Sequence, residues 1–529
     1  MTKAHELAKK QREISIAEFF EKNRHLLGFD NRRKALLTTI KEAVDNSLDA
    51  CEDAKVLPDI NVEINQLSEF KYNIIVEDNG PGILKSQIPK VFAKLLYGSK
   101  FFKLSQSRGQ QGIGISAAVL YAQLTTGKPA KIISRISPKE PAHYYELYID
   151  VKNNAPKILK EEVVNWKKEH GTKIELNFEA DYLKGLQSVD EYIKQTAIIN
   201  PHITLTYTNP KAEQFVYSRA SEQLPPHPKE IQPHPYGIEI GLLMRMIDAT
   251  KARTLQSFLM TEFSRVGAGT AKEICENASL LPSMKPREIG REQAEKIIQG
   301  ISKTKIITPP TDCISPIGGE LLEKGLKKEI EAEFYCSISR PASVYRGNPF
   351  VVEVAMAYGG KLTAEGPVTL MRFANRVPLL YQQGSCITAE SLTETNWKPY
   401  GLQQSGNSMP TGPAVIVVHM ASVWVPFTSE AKEAIAHYPE IEKEVKLALQ
   451  ECGRKMGIYV NRKVRVHQQL ERANLFERYI PEIADSLASL TKANKENLTK
   501  QLKNMLNKEE IRAQLEIGSP EGKNGEKKQ

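Results

Sequence analysis

The sequence predicts an α+β protein of several domains. Residues 60–179 and 350–427 contain alternating apolar and polar runs that are typical of strands. Between them, residues 237–306 carry helical periodicity, and a proline-rich stretch at 221–236 separates this helical part from the first strands. These three observations divide the 529 residues into about three or four units, which is the number that such a length suggests.

The composition is that of an ordinary globular protein, with 41% hydrophobic and 26% charged residues. No apolar run approaches the ~18 residues of a membrane span, so no membrane association is expected. The six cysteines are scattered without a CxxC pair, which predicts free thiols in a reducing cytoplasm. The net charge of +9 is compatible with a nucleic-acid partner.

The first 25 residues are predicted to form an arm that ends in a short helix. Ser15 is placed to cap Ile16–Lys22, with Glu18 at the capping-box position. A longer helix is predicted over Arg32–Ala54, because apolar residues recur there at helical spacing. This apolar stripe consists of Ala35, Leu36, Ile40, Ala43, Val44 and Leu48.

One face of the longer helix carries Glu42 and Asn46, four residues apart, with Asp45 and Asp49 beside them. A carboxylate and an amide one turn apart suit a hydrated divalent cation, because magnesium takes only one or two oxygens from protein. The alternative is a solvated acidic face without a ligand. The choice between these two interpretations depends on the motifs that follow in the chain.

The predicted strand KYNIIVE runs straight into a DNGPG turn at 78–82. The Asp78 carboxylate at the strand end could accept a hydrogen bond from a buried exocyclic amine, and Gly82 would let the backbone approach the base. DNGPG is also a good turn in its own right. Gly171 and Thr172 open a later strand, where the threonine could bond a base amine or a water, or could serve only the strand.

A glycine-rich segment, RGQQGIGIS at 108–116, opens a helix predicted over Ala117–Leu124, after 98–100 has ended an earlier helical pattern. Such loops at helix N-termini present backbone N–H groups to anions, and the helix dipole favours negative charge there. The segment matches neither a Walker A motif nor a Rossmann fingerprint. A lid loop without a ligand is the alternative interpretation.

In this chain order the four motifs resemble the GHKL (Bergerat) ATPase α/β sandwich of gyrase B subunits, MutL proteins, the large dimeric heat-shock chaperone and histidine kinases. The resemblance implies binding of ATP with Mg²⁺, with Glu42 as general base, Asn46 as magnesium ligand and Asp78 as acceptor of the adenine amine. Asp45 and Asp49 match no role and are expected to be helix-surface acids. Further nucleotide contacts are implied for Gly82, Ser99, Lys100, Gly109, Gln110, Gln111, Gly112, Ile113, Gly114, Ile115, Ser116 and Thr172.

Residues 308–470 are predicted to contain a mixed sheet. Its buried strand AVIVVHMASVWVPF is expected to lead directly into a helix, with Lys432 at the junction. On composition alone Lys432 would be a solvated lysine. In the ATPase family that the motifs resemble, a second domain with a ribosomal-S5-like transducer fold sends one lysine to the γ-phosphate. The resemblance implies this catalytic and nucleotide-contacting role for Lys432.

Three other segments have less specific patterns. Two helices joined around Val266–Gly269 resemble a helix–two-turns–helix DNA-binding module, and a structural spacer is the alternative. The cluster Trp397–Tyr400 either contacts nucleic-acid backbone or packs in a core. From His437 a long helix is predicted, interrupted at Pro481, as a docking element for another polypeptide; beyond Ile517 a disordered tail is expected.

The whole arrangement resembles the B subunits of archaeal type IIB DNA topoisomerases. The resemblance implies ATP-driven dimerisation of B subunits and a separate A subunit, in an A2B2 heterotetramer, that cleaves double-stranded DNA for strand passage. A MutL-like mismatch-repair ATPase and a chaperone-like ATPase clamp are the alternatives. The implied units are an arm at 1–25, the ATPase domain at 26–228, the helix–two-turns–helix domain at 229–307, the transducer at 308–470 and a C-terminal helical segment with its tail at 471–529.

Overall fold

The structure is a computed structural model that describes residues 3, 13–100, 103–109, 112–429 and 431–505. Several predictions lie outside the described residues: most of the first half of the arm, the loop residues Gln110 and Gln111, and the tail after residue 505.

An eight-stranded sheet is the centre of the N-terminal region, with strand order β5-β4-β3-β6-β2-β1-β7-β8. Neighbouring strands are antiparallel except for the parallel pair β1 and β7. Buried residues alternate along β2, as expected for a sheet with one covered face. The strands are β1 Asp59–Gln66, β2 Lys71–Glu77, β3 Ala130–Arg135, β4 Ala142–Asp150, β5 Ala155–Val164, β6 Gly171–Glu179, β7 Thr204–Thr208 and β8 Gln214–Tyr217.

Helices cover one face of this sheet and confirm the predicted α/β sandwich. Ser15 caps the first helix by accepting a hydrogen bond from the Glu18 amide, as predicted. The predicted apolar stripe of the long helix is buried in one core with the strands, and each fully buried Leu or Ile there contributes about 1.5–3 kcal/mol. The helices are α1 Ile16–Lys22, α2 Arg32–Asp53, α3 Ile88–Ala93, α4 Gly114–Thr126 and α5 Val189–Ile199.

The middle region is helical, as the periodicity predicts, and has a core of its own. Leu243, Phe258, Ile274 and Ile297, one from each helix, are fully buried together. Gly267 immediately precedes the third of these helices, so the predicted pair of helices around 266–269 is present. The helices are α6 Ile240–Ala249, α7 Leu255–Glu262, α8 Ala268–Asn277 and α9 Arg291–Lys303.

A six-stranded mixed sheet organises the C-terminal region, as predicted. Its order is β10-β11-β14-β12-β13, and β9 also pairs with β11. One face packs against α12, and the other packs against α10 and the end of α5 from the N-terminal region. Its elements are α10 Gly319–Glu329, β9 Phe334–Ser339, β10 Ser343–Tyr345, β11 Asn348–Tyr358, β12 Thr369–Ala374, β13 Val377–Pro378, α11 Ile387–Glu394, β14 Ala414–Ser422, α12 Pro439–Thr491 and α13 Lys495–Asn504.

Two predictions for this region are wrong. Lys432 does not stand where a strand leads into a helix, because residues 423–429 and 431–438 are irregular and α12 begins at Pro439. The β-bridge between Phe427 and Ile435 requires extended backbone, and Ala434 and Ile435 are buried there. The helix starts only at Pro439, because proline is favoured at a first helical position.

The second wrong prediction is the interruption at Pro481. Helix α12 continues through this proline to Thr491. A proline inside a helix costs about 3 kcal/mol through its lost hydrogen bond and its steric clash. Ile480 and Ala484 on either side are fully buried, and this burial offsets part of that cost.

Trp397 lies in the core of the C-terminal region. It is fully buried, and its indole Nε1 donates a hydrogen bond to the carbonyl of Leu392. The Tyr400 ring packs against Gly453 of α12, where an added Cβ would approach the ring to 2.7 Å. The structure therefore favours the packing alternative for these two aromatic residues.

The predicted domain limits stay predictions. Helix α12 runs without a break past residue 470, where one limit was predicted. Of the helices in the described ranges, none is both long enough and apolar enough to cross a bilayer.

Candidate functional site

A cavity of about 580 Å³ lies beside α2, the start of α4 and the start of β6. The residues that line it come from the N-terminal region and from two segments of the C-terminal region. Ser116 is not among them, because its hydroxyl is buried and donates to the carbonyl of Ile113 at 2.9 Å. The predicted site residues that line the cavity are Glu42, Asn46, Asp78, Gly82, Ser99, Lys100, Gly109, Gly112, Ile113, Gly114, Ile115, Thr172 and Lys432.

The end of the cavity around Asp78, here called the Asp78 end, is built from backbone amides and one hydroxyl. Asp78 Oδ1 accepts from the amides of Gly80 at 2.8 Å and Thr172 at 3.0 Å, and Oδ2 accepts from Ser47 Oγ at 2.8 Å. Two carboxylate oxygens offer about four acceptor positions, so one remains on Oδ2. Burial raises the pKa of Asp78, against the opposing effect of these three donors.

Two glycines allow the chain to close tightly at the Asp78 end. Gly82 has φ +68°, and a Cβ there would lie 2.1 Å from the carbonyl oxygen of Arg135. Gly171 has φ +134°, and a Cβ there would lie 2.2 Å from the carbonyl oxygen of Asp78. Side chains do not fit at either position, so the two glycines fix the strand ends against each other.

The opposite end of the cavity, here called the Glu42 end, is formed by α2 and the first turn of α4. Glu42 is half-buried and its carboxylate lies directly over Gly114, where a Cβ would be 1.7 Å from Oε2. Asn46 lies one turn further along α2 with an exposed side chain. Gly114 is the first residue of α4, so the helix begins three residues earlier than predicted and directs its N-terminus at the cavity.

Asp45 and Asp49 are buried, 4% and 7% exposed, which corrects their expected place on the helix surface. Asp49 Oδ2 lies 2.6 Å from Lys100 Nζ and Oδ1 lies 3.0 Å from an Arg108 nitrogen. Burial by itself would raise the pKa of Asp49, but these two cations outweigh it and hold that pKa below its ordinary value. Asp45 forms no such ion pair with the described residues, and burial raises its pKa to about 6.

Arg108, the first residue of the glycine-rich segment, anchors that segment to α2. Its guanidinium binds Glu52 through two nitrogens at 2.8 and 2.7 Å, contacts Asp49, and donates to Asn200 at 2.6 Å. Burial of Glu52 is outweighed by Arg108 and His202, so the pKa of Glu52 lies well below its ordinary value. A bidentate, buried pair of this kind holds its partners in one geometry.

The same cluster reaches the C-terminal sheet. Arg376, which follows β12, lies 3.6 Å from Glu52, and its backbone amide donates to His419 Nε2 at 3.0 Å. His419 Nδ1 lies 2.8 Å from Glu353, and both residues are fully buried. Burial lowers the pKa of His419, so a path of buried charged and neutral polar contacts runs from the glycine-rich segment through α2 to β14 and β11.

Residues 431–433, here called the Lys432 tip, close the Glu42 end from the C-terminal region. Lys432 Nζ donates to the carbonyl of Arg108 at 2.8 Å, and the carbonyl of Ala431 accepts from Lys41 Nζ at 3.5 Å. Lys432 is only 8% exposed. The structure thus brings Lys432 together with Glu42 and the glycine-rich segment, although it lies in a loop and not at a helix start.

Several residues of this site were not found from the sequence. Ser47 and Lys41 adjoin predicted site residues on α2, but a hydroxyl and a lysine at those positions carry no signal of their own. Arg108 had a usable signal, because it is a lone arginine at the start of a loop in a chain whose predicted helix carries five acids. Tyr381 and Glu433 carried no signal in the sequence, because only the packing of distant segments brings these residues to the cavity.

Two family models match the chain. One, described as histidine kinase-, DNA gyrase B-, and HSP90-like ATPase, matches residues 31–179, and the other, described as topoisomerase VI B subunit, transducer, matches residues 309–472. The B subunit of the type 2 DNA topoisomerase 6 of Methanococcoides burtonii is 54% identical over 486 residues, which are 92% of this chain and 78% of the relative. The chain belongs to the topoisomerase VI B subunit family.

Another topoisomerase VI B subunit, from Archaeoglobus fulgidus, is 48% identical over 482 residues, which are 91% of this chain and 80% of that protein. A solved B subunit of DNA gyrase from Myxococcus xanthus aligns with a TM-score of 0.40 and 10% identity, over 84% of this chain and 96% of that one, and the assignment does not rest on it. Membership of the topoisomerase VI B family confirms the expected ATPase and transducer folds. It does not favour the MutL-like or chaperone-like alternatives.

Proposed function

We propose that this chain binds and hydrolyses ATP and uses the energy to drive passage of one DNA duplex through another. The relatives are named as B subunits of a type 2 DNA topoisomerase, so the duplex would be cleaved by a separate A subunit. The observation that carries the proposal is the shared cavity. Glu42 and Asp78 of the ATPase region and Lys432 of the transducer region line it together, so a nucleotide there would contact both regions.

The Asp78 end suits an adenine ring. One acceptor position on Asp78 Oδ2 is free to take the exocyclic amine, which is a donor in adenine and is replaced by an acceptor oxygen in guanine. Thr172 offers its hydroxyl, which lies 3.1 Å from Ser134 Oγ, as a second polar contact. The site therefore selects adenine by hydrogen bonding, and Gly82 lets the base lie close to the backbone.

The Glu42 end suits the triphosphate and the attacking water. The N-terminal amides of α4, with Gly109, Gly112 and Ile113 before it, present donors and the positive end of a helix dipole to the phosphates. Glu42 accepts the proton of a water as the water oxygen attacks the γ-phosphorus and the bond to the β-phosphate oxygen breaks. The products are ADP and inorganic phosphate.

The residues also fit a magnesium ion. Asn46 directs an exposed amide oxygen towards the cavity, and the position of a Cβ on Gly109 is only 3.6 Å from it. Magnesium takes one or two protein oxygens and completes its shell with water and phosphate, which matches a single amide ligand. When bound, the ion would neutralise charge that develops on the phosphates.

The C-terminal region, which the transducer model matches, would transmit to the A subunit whether a γ-phosphate is bound. Lys432 already lies at the Glu42 end, and its compact charge responds to whether a phosphate is present. The C-terminal sheet packs directly on α12, so a shift of the sheet would move this 53-residue helix. We infer that α12 docks on the A subunit and that two B subunits dimerise on ATP, giving an A2B2 assembly.

The N-terminal arm is the proposed dimerisation element. Its described part exposes apolar side chains, with Ile14, Ile16 and Phe19 each about two-fifths exposed. Exposed apolar residues grouped on an arm are typical of a protein interface. Cytoplasmic localisation is part of the same proposal, because the substrate is chromosomal double-stranded DNA.

The test uses the purified chain with a purified A subunit of a topoisomerase VI. We expect Mg²⁺-dependent ATP hydrolysis by the chain alone, dimerisation with a non-hydrolysable ATP analogue, and relaxation and decatenation of plasmid DNA only when the A subunit and ATP are both present. Hydrolysis without capture of any A subunit in a pull-down, and without stimulation by DNA, would overturn the proposal in favour of a chaperone-like clamp.

A further inference from the structure

The Lys432 tip is joined to α2 by an ion pair as well as by the contact of Lys41 with the Ala431 carbonyl described above. Lys34 Nζ, in the first turn of α2, lies 2.5 Å from Oε1 of Glu433. The two side chains are only 16% and 6% exposed. A pair that is this deeply shielded is screened much less by salt than a surface pair.

The C-terminal region surrounds Lys34 on two sides. Besides Glu433, the Tyr381 ring lies beneath the ammonium at 5.4 Å, and Asp30 of the N-terminal region lies at 3.4 Å. Burial would lower the pKa of Lys34, but Glu433 and Asp30 outweigh it and raise that pKa. The ammonium is therefore charged when the tip is docked, and both of its neighbours from the C-terminal region favour the cation.

The tip itself has a conformation that needs such support. Lys432 has φ +53°, in the left-handed region that residues with a side chain rarely adopt. The backbone is held there by the Lys432 amide donating to Ser429 at 3.0 Å and the Thr428 amide donating to Ala434 at 2.9 Å. Strained backbone persists only where the surroundings over-determine it.

We propose that the Lys34–Glu433 ion pair is the positioning contact that holds Lys432 at the Glu42 end of the cavity. The pair ties the residue next to Lys432 to the helix that carries Glu42, so the lysine and the general base keep one relative position. Lys34 and Glu433 act through Lys432 and are positioning residues. This inference rests on the proposed function, because it concerns the γ-phosphate contact of the same site.

The test is a double-mutant cycle of Lys34→Met, Glu433→Gln and both together, with Glu179→Gln as control. Glu179 pairs with Arg32, also in the first turn of α2, at 2.9 Å, but within the N-terminal region. We expect Glu433→Gln to lower kcat for ATP hydrolysis by about tenfold while the Kd for ADP, which lacks the γ-phosphate, stays within about twofold. The double variant should be no slower than the slower single variant, because the two residues act as one unit.

Hydrogen exchange provides a second measurement that needs no turnover. The amides of Thr428 and Lys432 should exchange faster in Glu433→Gln than in the wild type or in Glu179→Gln. Unchanged exchange, additive losses in the cycle, or a parallel loss of ADP affinity would each overturn the positioning role. A wild-type chain that does not hydrolyse ATP would refute the proposed function, whereas the exchange result would still decide whether the ion pair holds the tip.

Discussion

The two ends of the cavity are built in different ways. At the Asp78 end the three hydrogen bonds to the carboxylate come from neutral donors in the turn after β2, in β6 and in α2. At the Glu42 end, buried charges from α2, from the segment before α4 and from the C-terminal region hold one another. The first end is held by hydrogen bonds within the N-terminal region, while the second depends on ion pairs between segments that are distant in the sequence. Under the proposed function, this difference predicts that the Asp78 end stays fixed while the Glu42 end responds to the nucleotide.

The largest effect is expected from Glu42→Gln at the Glu42 end. Removing the proposed general base should lower kcat for ATP hydrolysis by about a thousandfold. Binding of ATP, measured by calorimetry, should change little, because the base acts on water. Glu63→Gln on β1, a glutamate outside the cavity, is the control. A kcat that falls less than about tenfold would remove Glu42 from the role of base.

Gly114→Ala should produce the next largest effect, through the position of Glu42. The new Cβ would lie 1.7 Å from Oε2, so the carboxylate must move away. A displacement of about 1 Å at a catalytic group costs on the order of a hundredfold in kcat. Gly241→Ala, near the start of α6, adds a Cβ with no atom within 4 Å and should leave kcat unchanged. Steady-state hydrolysis of both variants provides the measurement, and equal activities would contradict the geometry.

Asp78→Asn probes the other end. We expect ATP affinity to fall by about 10- to 100-fold, since a hydrogen bond to a charged group contributes about 1.5–3 kcal/mol. The preference for ATP over GTP should fall as well, because an amide can present a donor to the guanine oxygen. At saturating ATP, kcat should stay within about threefold. A loss confined to kcat would show that the two ends are not separable.

The smallest effect concerns the stability of α2 and its dependence on pH. The pKa of Asp45 is about 6 in the fold, above the ordinary aspartate value. A carboxyl whose pKa is raised by folding destabilises the fold once it ionises, so this cost is absent near pH 4 and complete above about pH 7. Asp45→Asn should therefore raise the free energy of unfolding by about 1–2 kcal/mol at pH 8 and not at pH 4.

Asp49→Asn is the matched comparison on the same helix. The pKa of Asp49 is held below its ordinary value by Lys100 and Arg108, so its ionised form stabilises the fold. This stability is present above the ordinary aspartate pKa and is lost as the pH falls below it. Denaturant unfolding at pH 8 should show Asp49→Asn destabilised where Asp45→Asn is stabilised. If both substitutions changed the free energy of unfolding in the same direction, the ion pairs of Asp49 with Lys100 and Arg108 would not stabilise the fold.

Local features of the site were predictable because short-range rules set them. Helical spacing over Arg32–Asp53 fixed which face of α2 is apolar, and so which face carries Glu42 and Asn46. The strand that ends at Glu77 placed Asp78 next to a glycine turn. The order of these motifs was sufficient to predict the ATPase and transducer folds that the family match confirms. The roles assigned to the individual residues stay predictions.

The tertiary structure alone decided how the charges are paired. Asp45 and Asp49 are the same residue type on adjacent turns of α2. Burial raises the pKa of Asp45, whereas among the described residues Lys100 and Arg108 outweigh burial and lower the pKa of Asp49. Lys432 was expected at a helix start, but buried extended pairing at Ile435 keeps it in a loop. Lys41 meets the backbone of Ala431 across a separation of 390 residues. Periodicity and turn chemistry act over a few residues, whereas ion pairs and burial depend on which distant segments pack together.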